Sequence, residues 1–122
     1  MEFRITGRII PYVRMTQRSK FTDPDAIAYL ASQEAIRWQL KQQMAEHGWE
    51  MLPKGVPLFV SVLFAVTSRL HGDDLDNKKK AVLDAMQSLV YKNDCWVDGG
   101  DENRELVRGL REDVTTLVVR PL

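Results

Sequence analysis

Asp73, Asp74, Leu75, Asp76 and Asn77 run directly into Lys78, Lys79 and Lys80, and a further acid, Asp94, follows a little way along the chain. Carboxylate oxygens are what a hard divalent cation takes. Magnesium keeps several waters beside one or two carboxylates, which leaves positions open for a substrate phosphate. If the chain is still extended at Asp74 and Asp76, period-two alternation points both carboxylates the same way and turns Leu75 into the core. Asp94 joins them if the helix between is short or its return loop comes back to the same end. Asp76 and Lys80 stand at i and i+4, so on a helix the ammonium lies one turn beyond the carboxylate, within reach of a phosphate. That set suits phosphoryl transfer: a cation polarises the phosphoryl oxygen and activates water, and a lysine offsets the charge that builds in the transition state. The plainer reading of the same residues stays open. Aspartates before a helix serve as caps, adjacent lysines form a solvated face, and Asp94 after Asn93 suits a turn.

Other chemistries find no support. His47 and His71 have no partners at ligand or triad spacing, no Gly-x-Ser-x-Gly is present, and no glycine-rich loop is there to cradle phosphate. The single cysteine, Cys95, cannot form an internal disulfide and fits a small buried side chain; it points to a reducing, cytoplasmic setting. No run approaches the roughly 18 apolar residues of a membrane span, so neither a signal peptide nor a membrane anchor is expected. Lys plus Arg and Asp plus Glu each number 17 in the 122 residues, so overall charge gives no attraction to a polyanion. The signs are nevertheless segregated. Met1 to Lys20 holds Arg4, Arg8, Arg14, Arg18 and Lys20 against Glu2 alone, whereas Asn93 to Asp113 holds seven acids against three arginines. A basic arm beside an acidic patch is consistent with a phosphate-binding surface next to a cation pocket, or with ordinary surface variation.

The elements that must position these residues read as one α/β domain spanning residues 1–122, a mixed sheet packed on two main helices. Phe3, Ile5 and Ile9 alternate with polar residues in a strand over Glu2 to Ile10, with Gly7 as a bulge and Pro11 as its end. Tyr12 to Thr22 is polar, basic and loop-like. Asp23 and Pro24 start a long helix that Gly48 stops, with Ile27, Leu30, Ala31, Ala35, Trp38 and Ala45 as its apolar positions. Pro57 to Ala65 is a buried central strand. A second helix, capped at or near Asp76, carries Leu75, Val82, Ala85, Met86 and Leu89. Glu105 to Arg111 and Val114 to Arg120 are expected as two strands joined by a tight turn at Glu112 and Asp113.

Asp74-Leu75-Asp76-Asn77, followed by Lys80, then Asp84 and Ala85, then Asp94, resembles the RusA family of Holliday junction resolvases. Pro11, Arg14, Thr16, Thr22 and Pro24 are similar to that family's opening. The resemblance implies a homodimeric endonuclease, dependent on Mg2+ or Mn2+, that binds four-way DNA junctions and nicks opposing strands symmetrically. Asp74, Asp76 and Asp94 match the family's essential acidic positions and Lys80 its essential lysine. Asn93 stands where the family commonly has a second aspartate, which lowers the local charge by one. Fewer arginines precede the motif than is usual there. Arg14, Arg18, Lys20, Arg69, Lys78 and Lys79 are the expected DNA-binding face. Two alternatives to junction resolution stand beside it: a nuclease that prefers flaps or forks, and a DNA-binding module without catalysis.

Overall fold

Alternate apolar side chains build the first strand, β1 (Glu2–Thr6), with Phe3 and Ile5 buried. It is shorter than the pattern predicts, because Gly7 at φ 102° turns the chain away at once and donates its N–H to the Asp113 carbonyl at 2.8 Å. The computed structural model describes residues 1–13, 22–68 and 73–122. The remaining elements are α1 (Pro24–His47), β2 (Leu58–Val66), α2 (Leu75–Met86), a 3-10 turn over Asp94–Trp96, β3 (Val97–Gly99), β4 (Glu102–Leu106) and β5 (Val114–Pro121).

Helix α1 starts and stops where its caps say it should. The Asp23 carboxylate accepts from Asp25 N at 2.9 Å, Pro24 occupies the first turn, and Gly48 ends the helix in the left-handed region at φ 65°. Its buried face is not the one expected. Ala26, Tyr29, Gln33, Ile36 and Leu40 point inward, while Ile27 and Trp38 are exposed at 48% and 61%. Polar side chains, which the apolar pattern ignores, dock this helix on α2. Tyr29 Oη donates to Asp84 Oδ2 at 2.8 Å and Gln33 Nε2 to the Ala81 carbonyl at 3.0 Å. Arg37 Nη1 donates to the carbonyls of Ala85 and Gln87, both at 2.9 Å, and so satisfies acceptors at the end of α2.

The sheet runs β1-β5-β2, with β3 and β4 in succession on the far side of β2. β5 is antiparallel to both β1 and β2, and β3 and β4 are parallel to β2. The expected hairpin between the last two strands is therefore not formed. β4 begins earlier, at Glu102, and lies across β2 from β5; the loop between them laps over the end of β2. Val107 N donates to Val66 O at 2.9 Å, and the Asp113 carboxylate accepts from Thr67 N at 2.9 Å and Thr67 Oγ1 at 3.0 Å. Parallel pairing requires a crossover, and α2 is that crossover between β2 and β3.

Leu58, Val60, Val62, Phe64 and Val66 of β2 are buried with Leu117 and Val119 of β5 and with Ile36, Leu40, Val82 and Met86 of the helices, in one core on one face of the sheet. At the β1 edge, two glutamines of α1 take the place of a neighbouring strand. Arg4 N donates to Gln43 Oε1 at 2.7 Å and Gln43 Nε2 to Arg4 O at 2.6 Å; Thr6 N donates to Gln39 Oε1 at 2.9 Å and Gln39 Nε2 to Thr6 O at 3.1 Å. Each amide mimics a peptide unit, which closes this edge to pairing with another chain.

Candidate active site

The N-terminus of α2 carries the acidic motif. Asp74 is its N-cap, extended at φ −69° and ψ 127°, and its Oδ1 accepts from Asn77 N at 3.1 Å. The helix begins at Leu75, so Asp76 lies in the first turn and the two carboxylates are brought together by helix geometry rather than by strand alternation. Both are exposed, Leu75 packs against the core, and the positive end of the helix dipole favours negative charge here.

Glu102, at the start of β4, stands beside Asp76. A hydrogen bond with Glu102 is the main cause that holds the Asp76 carboxyl above the usual carboxylate range. The negative charges of Glu102 and Asp74 add to it, and the Lys79 ammonium opposes it. Lys79 Nζ is ion-paired with Glu102 Oε2 at 3.1 Å. Glu102 owes its position to the joint before it. Gly100, at φ 121°, passes so close to β2 that a Cβ there would lie 1.8 Å from the Val60 carbonyl oxygen. Beyond it, Asp101 O accepts from Val62 N at 2.9 Å, and the Asp101 carboxylate accepts from Ser61 Oγ. Glu102 carries no spacing signal that ties it to Asp76, because the two meet only across the crossover.

Asp94 opens the 3-10 turn after α2. The Asn93 side chain caps that turn by accepting from Cys95 N at 3.0 Å, and Cys95 is exposed, not buried as expected. Asp94 lines a groove with Lys79, Leu83, Asp98 and Gly100, so the return loop brings it to the same flank of α2 as Lys79. Among the described residues no three His, Cys, Asp or Glu side chains gather closely enough to hold a metal ion, so Asp94 is not clustered with Asp74 and Asp76. Lys80 occupies the neighbouring flank, exposed, with Nζ 4.2 Å from the centroid of the Tyr12 ring. Tyr12 is itself tied to the start of the helix, its N–H donating to Asn77 O at 3.0 Å.

Of the residues expected on a DNA-binding face, Arg14, Arg18, Lys20 and Arg69 lie outside the described residues. Lys78 requires a correction. It is 2% exposed, with Nζ 4.8 Å from the centroid of the Phe64 ring, and burial lowers its pKa against the pull of Asp73 and Asp113. The signal was in the sequence: Lys78 precedes Ala81, Val82 and Ala85 by three, four and seven residues and shares their buried stripe. Lys79 is largely buried and faces the acids.

The model of one family, endodeoxyribonuclease RusA, matches residues 3–103, which takes in β1, both helices, the aspartate motif and Asp94. The chain belongs to the RusA family. That makes it a member of a family of Holliday junction resolvases, endodeoxyribonucleases that act on branched DNA. No curated protein matches it. The RusA motif here coincides with the N-terminus of α2, and α1 and β4 pack against the helix that carries it. Among the described residues no helix is long and apolar enough to cross a membrane.

Proposed function

We propose that this protein is a divalent-cation-dependent endonuclease that resolves four-way junctions by paired, symmetric nicks, acting as a homodimer. The observation that carries the reading is the RusA match across the segment in which Asp74 and Asp76 share one helix end. The donor set is two exposed carboxylates at one helix end, which with waters and a substrate phosphate suits a hard cation, and the negative charge of Glu102 beside Asp76 adds to the attraction. Asp74 and Asp76 would hold the ion, and Asp94, on the same flank of α2 as Lys79, is the proposed third acidic residue of the site. Mg2+ or Mn2+, when bound, supplies Lewis-acid polarisation of the scissile phosphate and an activated water.

The chain's own groups do the rest. Asp74 and Asp76 fix the reacting end at the head of α2, where backbone N–H groups favour an anionic substrate. Lys80, one turn further on, leaves the Tyr12 ring to meet a phosphate oxygen and offsets charge in the transition state. Lys79 holds Glu102 and keeps the acidic wall in place. The basic residues Arg14, Arg18, Lys20 and Arg69 contact the DNA backbone. Two-fold related strands call for two identical sites, which a cyclic pair of subunits presents. The catalytic unit extends past the matched segment to the end of β5, since β5 lies between β1 and β2.

The test is Asp76→Asn on a synthetic four-way junction with Mg2+ or Mn2+. Nicking is expected to fall below detection while junction binding in EDTA is retained. Cleavage by the variant at the wild-type rate overturns the metal assignment. Competition among junction, fork and flap substrates decides the substrate shape.

A further inference from the structure

Four segments converge on the residue before the motif. Arg8 Nη2, just after β1, lies 2.8 and 2.9 Å from the two oxygens of Asp73. Arg104 Nη1, from β4, donates to the Asp73 carbonyl at 2.8 Å. The Asp73 side chain is only 12% exposed and that of Arg8 34%. Beneath them the buried Lys78 ammonium faces the carboxylates of Asp73 and Asp113, and Asp113 is itself fixed on Thr67 at the end of β2. Arg8 and Lys78 thus depend on the Asp73 carboxylate, with Asp113 as the further acid facing Lys78, and its removal leaves both cations, and Arg104 on the adjacent carbonyl, poorly compensated.

We infer that Asp73 is a positioning residue for the nuclease reaction: held by its side chain from β1 and by its carbonyl from β4, it fixes the direction in which Asp74 and the first turn of α2 present their carboxylates. The inference rests on the function proposed above. Asp74 is anchored to the first turn by its carbonyl, which accepts from Lys78 N at 3.0 Å, and by its Oδ1, which accepts from Asn77 N, so the clamp on Asp73 acts on the one side of Asp74 that the helix does not hold, the entry of the chain into the cap. Nothing else among the described contacts ties Asp73 to both sides of the sheet. A misplacement of about 1 Å at a reacting group costs on the order of 100-fold in rate, so loss of the clamp reads out in turnover before it reads out in binding.

The experiment compares wild type with Asp73→Asn, Arg8→Gln and Arg8→Lys. A single nitrogen of Arg8 serves both Asp73 oxygens, so a lysine ammonium can stand in for it. Single-turnover nicking of a four-way junction is measured at saturating Mn2+ and corrected for the folded fraction, with junction affinity in EDTA and the Mn2+ concentration for half-maximal rate. Asp73→Asn and Arg8→Gln are expected to lower the rate 10- to 100-fold and raise the Mn2+ requirement, with affinity within about twofold of wild type; Arg8→Lys recovers most of the rate. Losses that track the folded fraction, or equal losses in rate and affinity, overturn the inference. Should wild type itself not nick, the functional reading fails separately, and the clamp is judged by hydrogen exchange at Asn77 and Lys78. Selective loss of protection there in Arg8→Gln, with Leu40 unchanged, supports the clamp; uniform or no loss overturns it.

Discussion

Lys80 and Lys78 differ by two positions and meet opposite fates. The spacing of a helix turns one toward Tyr12 and solvent and the other under Phe64. Charge in a lysine run is therefore a poor guide to DNA contact, and the helix period is a better one. Lys80 is the cation at the head of α2 that combines exposure with a place one turn from Asp76. Lys80→Ala is expected to lower kcat for junction nicking by 100-fold or so while changing junction affinity by less than about threefold. Parallel losses in kcat and affinity would make it a ground-state phosphate contact instead.

At the level of elements, the site depends on the joint between β3 and β4. Gly100 permits a close approach to Val60 that no other residue allows, and the chain leaves it with Asp101 bonded to β2 and Glu102 delivered to Lys79 and Asp76. Gly100→Ala combines an unfavourable left-handed backbone with a clash against main chain, and a cost of about 2–5 kcal/mol is expected. Urea unfolding measures it as a lower midpoint with unchanged slope. The folded fraction of the variant should also nick more slowly, because the acidic wall beside Asp76 has shifted. A stability close to wild type would mean that β4 can be supplied to the site without this contact.

For the whole molecule, zero net charge and a polyanionic substrate are compatible because the signs are separated along the chain. Asp94 and Asp98 line the groove beside α2 and Glu102 stands beside Asp76, so the acidic half of the sequence supplies one flank of that helix. Replacing Arg14, Arg18 and Lys20 together by Gln is expected to flatten the salt dependence of junction binding by about 2.7 per protomer in the log–log slope, measured by titration across salt concentrations. The proposed assembly makes a further demand: light scattering should return twice the 14.0 kDa of one chain. A monomer that still makes paired nicks would separate the chemistry from the symmetry.

The sequence by itself determined the features that local chemistry controls. Asp23, Pro24 and Gly48 bound α1 because caps act within one turn; the apolar run from Leu58 to Phe64 is a central strand because both its ends are marked; and the motif from Asp74 to Lys80 carries its own spacing. Tertiary structure decided which distant segments meet. β4 pairs with β2 instead of β5, α1 docks through Tyr29, Gln33 and Arg37 instead of through Ile27 and Trp38, and Glu102, Arg8 and Arg104 arrive at the motif from segments far from it in the chain. A cap or a helical repeat is an interaction between near neighbours and leaves a period in the sequence. A strand pairing or a buried ion pair is settled only by which surfaces the folded core brings into contact, and it leaves none.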